Sequence, residues 1–333
     1  MSNFYITTPI YYVNDLPHIG HTYSTVVADV LARYHRLAGK EVFFLTGTDE
    51  HGQKVEKAAR NRGLSPQEHV DRMVKPFQEL WQRFAISNDD FIRTTEPRHE
   101  EVVKKIFNRL FEQGDIYKGV YEGWYCVHEE TFWPESQLVN GRCPECNREV
   151  DWVQEDSYFF RVQKYKDTLV AYIEANPEFI FPEVRRNEVL SMLKSGVTDV
   201  AVSRTAFKWG VPVPFDSRHV VYVWFDALIN YLTGIGYLQN DALFSKFWPP
   251  VHIIGKDILK FHAIIWPAML LALELPLPKK IIATGFWTLG EQKISKSRGK
   301  VINPHELADE FGVDAVRYFL VREIPLGQDG EFS

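Results

Sequence analysis

Residues 4–13 form an extended apolar run, and residues 21–37 carry apolar positions at helical spacing until Gly39 closes the pattern. Residues 42–46 are extended again and lead into a loop with Gly47, Asp49 and Gly52, so the chain is expected to open with a strand-helix-strand unit. Helical patterns come next over 66–84 and 97–113, the second ended by Gly114. From 119 to about 153 the texture changes to short aromatic-rich strands and turns around cysteines, and a helix over 164–176 precedes the break at Pro182. Strand and helix patterns return at 220–225 (strand), 226–233 (helix), 251–254 (strand), 258–275 (long helix) and 281–284 (strand).

The simplest account is an α/β fold, a Rossmann-like doubly wound parallel sheet interrupted by a small insertion, with the ligand crevice at the strand C-termini where the topology switches. The expected division is 1–114 for the first half of the sheet domain and 115–205 for the insertion, with a cysteine knuckle near 120–155. The second half is expected over 206–288, and 289–333 begins with a basic turn.

Composition narrows this. An apolar fraction of 45% with 25% charged residues is that of a globular chain with a sizeable core. The apolar stretch 259–275 is interrupted by Lys260, His262, Pro267 and Glu274, so it reads as a buried helix and not a membrane span. No signal-peptide pattern is visible, and three cysteines are too few for a disulfide framework; a reducing compartment, the cytoplasm, is expected, with metal binding as the use of Cys143 and Cys146. A net charge of −6 gives no electrostatic footprint for nucleic acid, so such a partner has to be argued from motifs.

Two short motifs supply the chemistry. Pro17-His18-Ile19-Gly20-His21 falls between the first strand and its helix, where backbone N–H groups and the helix dipole favour an anion. Lys293-Ile294-Ser295-Lys296-Ser297 is a cationic turn able to swing onto a phosphate chain already in place. Together they suggest a split ATP site. Taken singly, the histidine pair also fits surface or metal-binding residues, and the lysine turn a solvated loop. A P-loop and a G-x-G-x-x-G fingerprint are both absent.

With the segments Thr8-Pro9-Ile10-Tyr11-Tyr12-Val13-Asn14, Thr46-Gly47-Thr48-Asp49-Glu50-His51-Gly52, Val223-Trp224-Phe225-Asp226-Ala227 and Gly255-Lys256-Asp257-Ile258, the chain resembles the catalytic core of the class I aminoacyl-tRNA synthetases, in their methionyl branch. The resemblance covers essentially the whole chain. His18-Ile19-Gly20-His21 stands as the HIGH-type motif and Lys293 to Ser297 as the KMSKS-type motif, with isoleucine for methionine, a volume-conserving change. On this likeness 289–333 would hold the second motif and the start of a stem-contact region. The resemblance implies ATP-dependent activation of L-methionine to methionyl-adenylate, with Mg²⁺ on the phosphates, and transfer to tRNA(Met). It also implies roles. His18, Gly20, His21, Lys256, Asp257 and Lys296 would serve ATP, with Arg204 as a helper, and His18, His21, Lys293 and Lys296 would act in catalysis. Asp49 would bind the amino acid's ammonium group; Ile10, Tyr12, Trp224, Ala227, Leu228, Tyr231, Ile258 and His262 would line the thioether pocket. By periodicity alone Trp224 and Tyr231 read as core.

The cysteine region departs from the family pattern. Cys126-Val127-His128-Glu129 offers one cysteine where the family has two, so structural Zn²⁺ would be held by Cys126, Cys143, Cys146 and either His128 or Glu129. The insertion is too small to be the editing domain carried by the isoleucyl, valyl and leucyl enzymes, whose pockets separate ligands differing by a methylene by only roughly 10- to 200-fold; this favours methionine. The chain stops soon after Gly327-Gln328-Asp329, which reads as a cut, with the anticodon-binding domain absent. The expectation is a monomer without a membrane partner that forms the adenylate and charges tRNA poorly. The competing readings are a HIGH-type nucleotidyltransferase acting on another substrate and an inactive tRNA-binding paralogue.

Overall fold

A computed structural model describes residues 3–289, 292–293 and 302–332, with side chains omitted at 289, 292 and 293. The chain runs β1 (Asn3–Tyr12), α1 (Ile19–Leu37), β2 (Glu41–Asp49), α2 (Gln53–Asn61), α3 (Pro66–Arg83), β3 (Asp90–Arg93) and α4 (Pro97–Glu112). Local signals set these bounds. Ser65 and Glu68 close a reciprocal capping box at the start of α3, and Gly39 and Gly114 take positive φ just past α1 and α4, where a side chain would be strained.

The excursion from the sheet begins with β4 (Ile116–Cys126), β5 (Thr131–Trp133) and β6 (Asp151–Phe160). In place of short strands, β4 and β6 form one long antiparallel ladder from Ile116 opposite Phe160 to Tyr125 opposite Asp151, and the cysteines gather at its far end. The chain then returns to the main sheet inside the range expected to be insertion. After α5 (Lys166–Ala175), β7 (Ile180–Phe181) pairs in parallel with a later strand, and α6 (Glu183–Ser195) comes after it. Next come β8 (Val200–Ala201), β9 (Ser203–Arg204), β10 (Pro212–Val213), β11 (Asp216–Val221), α7 (Val223–Leu228), α8 (Asn230–Thr233), α9 (Asp241–Phe247) and β12 (Val251–Gly255). The strand expected over 220–225 thus ends at Val221, and Trp224 is helical.

The long helix expected over 258–275 is broken. A 3₁₀ turn (Lys256–Ile258) and a π-helical turn (Phe261–Ile265) precede α10 (Trp266–Ala272). Pro267, in the first turn of α10, has no N–H to continue an α ladder, which accounts for the irregularity. The chain closes with β13 (Lys280–Thr284), β14 (Trp287–Leu289), β15 (Gln292–Lys293), α11 (Pro304–Phe311), α12 (Val313–Arg322) and β16 (Gly330–Glu331).

Among the described residues the main sheet has the order β3-β2-β1-β12-β13-β7, all parallel. It is apolar on both faces, as a doubly wound sheet requires. Tyr5 of β1 joins a core with α4, α5 and α10, while its neighbours Phe4 and Ile6 join one with α1 and α3. β1 lies between β2 and β12, so chain order reverses there and a crevice opens beyond Tyr12 and Gly255. No described helix is long and apolar enough to cross a membrane.

Candidate functional site

That crevice is a cleft of about 340 Å³. Thirteen of the residues expected from sequence line it: Ile10, Tyr12, His18, Gly20, His21, Asp49, Trp224, Ala227, Leu228, Tyr231, Asp257, Ile258 and His262. Pro9, Asn230, Phe286 and Trp287 join them.

His18 caps α1 with extended backbone, and its Nδ1 accepts the Gly20 N–H at 3.1 Å. His21 Nδ1 accepts the His18 N–H at 3.1 Å, and the two rings stack 3.9 Å apart. Both Nδ1 atoms being acceptors, a neutral ring carries its proton on Nε2, the form that donates to phosphate oxygens. Gly20 is required by contact, since a Cβ there would lie 2.9 Å from the His18 ring. The first turn of α1 has no acidic residue, so its N-terminal field is left for an anion.

Asp49 ends β2 directly opposite Tyr12 of β1. Its carboxylate is buried, and Oδ1 has no hydrogen-bond partner within the protein. Burial, with Asp226 and Glu130 nearby, holds its pKa well above the usual carboxylate range. Burial and the neighbouring acids disfavour its ionised form, which a cation seated beside it would restore.

Trp224, Tyr231 and His262 give the cleft an aromatic slot. Trp224 stacks on Phe261 with centroids 3.7 Å apart and 7° between planes. The His262 Nδ1 lies 3.0 Å from the Ile258 carbonyl, so it bears the hydrogen, and Nε2 accepts from the Tyr231 hydroxyl at 2.8 Å. Burial pushes the His262 pKa down to about 4, keeping the ring neutral. Behind it, His252 accepts the Trp266 N–H at 3.1 Å, meets the Thr7 hydroxyl at 2.7 Å, and packs 4.3 Å from the Tyr231 ring. The π-helical turn brings His262 to face the slot.

Other expected residues lie elsewhere. Arg204 does not reach the cleft. It is buried on the Tyr125 and Phe132 rings and ion-paired with Glu155, so it packs within the excursion, and the helper role that the resemblance implied is not supported by its position. Lys256 stands at the cleft's edge, ion-paired with Asp329 at 2.5 Å. Lys296 lies outside the described residues, and of Lys293 only the backbone, in β15, is described.

Sequence reasoning missed two buried carboxylates. Asp226 receives His51 Nδ1 at 2.7 Å and His99 Nε2 at 2.8 Å, and these partners help hold its pKa at about 2 against the opposing effect of complete burial. It ties α7, the wall bearing Trp224, to the loop after Asp49. An acid inside the apolar run 220–233 was the available signal. Glu130 lies under Tyr12, and nothing in its local sequence marks it.

The Cys126, Cys143 and Cys146 sulfurs all lie within 4.8 Å of one another, with Cys126 and Cys146 at 3.5 Å. His128, Glu129 and Cys146 make an overlapping group. Burial and the neighbouring thiols push the Cys146 thiol up to about 12. Such crowding suits three thiolates around one cation, and the set is the sulfur-rich one soft metals prefer.

A family profile described as tRNA synthetases class I (M) matches residues 4–151 and 148–333. The chain is 58% identical to the methionine--tRNA ligase of Caldanaerobacter subterraneus over 99% of its length, covering 52% of that protein. It is 55% identical to that of Rickettsia conorii over 100% of its length, covering 66%. The chain therefore spans about half to two thirds of the length of these relatives. Among solved structures, Mycobacterium tuberculosis methionyl-tRNA synthetase in complex with methionyl-adenylate superposes with a TM-score of 0.96 at 48% identity, covering 100% of this chain and 67% of that one. With its two histidines at the head of α1, the buried Asp49 and the aromatic slot on one sheet edge, the chain belongs to the class I tRNA synthetases of the (M) family.

Proposed function

We propose that this chain activates L-methionine with ATP to give methionyl-adenylate, the first half of a methionine--tRNA ligase reaction. The observation that carries the reading is the unpartnered carboxylate oxygen of Asp49, in the same cleft as the paired histidines and the aromatic slot. An α-amino acid needs this set of groups: an anion for its ammonium group, a soft apolar slot for its side chain, and its carboxylate left facing the nucleotide. The polarizable Trp224 and Tyr231 faces suit a thioether. The relative bound to methionyl-adenylate supports the same assignment.

In the reaction a methionine carboxylate oxygen bonds to the α-phosphorus while the bond from that phosphorus to the bridging oxygen breaks, and pyrophosphate leaves with the electron pair. The nucleophile is already an anion, so no general base is needed, and the protein's work is positioning and charge stabilisation. His18 and His21, as Nε2–H donors, would meet charge growing on the phosphates, with the α1 N-terminus behind them. Lys296 and Lys293 would clamp the leaving group, and Asp257 and Lys256 would hold the nucleotide. Mg²⁺ would arrive with ATP, and transfer to the terminal ribose of tRNA(Met) would come second.

We assign Zn²⁺ to the cysteine cluster, held by Cys126, Cys143 and Cys146 with His128 or Glu129 as fourth ligand. Bound there, it would supply a cross-link at the tip of the excursion.

Amino-acid-dependent exchange of pyrophosphate into ATP tests the reading across the standard amino acids. Methionine is expected to support exchange and the others to be far weaker; exchange driven equally by leucine or isoleucine, or independent of any amino acid, would contradict it.

A further inference from the structure

Glu130 belongs to the cysteine-bearing excursion, yet its side chain reaches Tyr12, a residue that lines the cleft. Its backbone takes φ +46° on the turn between Cys126 and β5, and the residue is 1% exposed. One carboxylate oxygen accepts the Tyr12 hydroxyl. The other accepts the backbone N–H of Lys54 at 2.8 Å, in the first turn of α2, whose own N-cap, Gly52, has no side chain to offer. The Glu130 carbonyl accepts the Tyr222 hydroxyl, fixing the turn from behind. Gly52 leaves the space this needs: a Cβ there would lie 3.0 Å from Glu130 Oε1 and 3.0 Å from the Tyr12 hydroxyl.

These contacts converge on the pair that faces the cleft, since Tyr12 and Asp49 are direct register partners across β1 and β2. A phenol that donates its hydrogen to a carboxylate keeps its oxygen lone pairs for another donor, and that bond makes the oxygen more negative. We infer that Glu130 is a positioning residue of the amino-acid site: by accepting the Tyr12 hydroxyl hydrogen and capping α2, it turns the Tyr12 oxygen into a second acceptor, beside Asp49, for the substrate's ammonium group. The excursion thereby contributes to amino-acid recognition through one side chain. This rests on the reading that the cleft activates an amino acid.

The test is a split of kinetic constants in pyrophosphate exchange for Glu130→Gln, Tyr12→Phe and the double variant. Glu130→Gln is expected to raise KM for methionine roughly tenfold, the scale of one hydrogen bond to a charged group, with KM for ATP within about twofold. Tyr12→Phe, which keeps the ring and its packing, is expected to give a similar rise, and the double variant to add little to either. Should Glu130→Gln fail to fold, Tyr12→Phe alone decides: an unchanged methionine KM overturns the inference. Additive effects, or KM for ATP and methionine rising together, also overturn it by showing a merely structural role. If wild-type protein shows no methionine-dependent exchange, the reading of the site fails first, and the two failures are distinguishable.

Discussion

The Lys256 ammonium is ion-paired with Asp329 at 2.5 Å and lies 4.5 Å from the Phe286 ring centroid. Asp329 is itself fixed by the Phe286 N–H at 2.8 Å, and Lys256 beside it is a cause of its lowered pKa. A lysine assigned to the nucleotide is thus held by a carboxylate that competes with phosphate for it. Asp329→Asn is expected to lower KM for ATP about two- to fivefold, the range for a partly exposed pair, and to leave KM for methionine alone. Initial rates over an ATP series check this; a rise in KM would show that Asp329 aims the lysine instead.

Tyr231→Phe removes the donor to His262 Nε2 in a buried site. The orphaned acceptor is expected to cost about 1–3 kcal/mol of stability, read as a lower urea midpoint with unchanged slope. Methionine binding should weaken while KM for ATP holds. A variant as stable as wild type would mean that the Tyr231–His262 bond adds nothing to the fold.

The folded-state pKa of His262 is about 4, below the ordinary histidine value, because the ring is buried. The unfolded chain therefore binds the proton more readily, so this group's contribution to stability is full above about pH 6.5 and is lost as pH falls towards 4. His252, also driven down by burial, adds in the same direction. Urea midpoints measured from pH 7 to 4.5 are expected to fall less steeply in His262→Asn than in wild type. Parallel curves would contradict the assignment.

The cysteine cluster makes a separable prediction. Purified protein is expected to carry one equivalent of zinc, lost in Cys143→Ser and Cys146→Ser, with methionine specificity kept in whatever fraction stays folded. Metal analysis checks it, and protein that folds fully without zinc would remove the metal from the account.

The parts of this molecule that were legible in sequence share a cause. Apolar runs and period-3.6 patterns predicted β1, α1, β2, α3, α4, β12 and β13 because each buries apolar side chains in the two cores that flank the sheet. The His18 to His21 segment and Asp49 could be placed at strand ends because a doubly wound sheet leaves its ligand crevice there. What escaped depends on distant partners. The break at Phe261–Ile265 arises from one proline, yet it decides how His262 faces Tyr231. β7 is two residues long and gains its identity only from pairing with β13. Arg204 was expected at the nucleotide only from the resemblance, and its buried pairing with Glu155 joins residues far apart in sequence. Asp226 and Glu130 gain meaning from His51, His99 and Tyr12, contacts no periodicity reports.

The central claim is that Asp49, beside the aromatic slot, selects an amino acid by its ammonium group. Methionine-dependent pyrophosphate exchange in wild type and Asp49→Asn, with melting curves for both, tests it most directly. The expected result is a fall in kcat/KM for methionine of roughly two to three orders of magnitude, since a buried ammonium is left without its charge partner. KM for ATP should change little, and the melting temperature should hold or rise, because a carboxylate crowded by Asp226 and Glu130 has been neutralised. An Asp49→Asn enzyme that keeps its methionine kcat/KM would contradict the account.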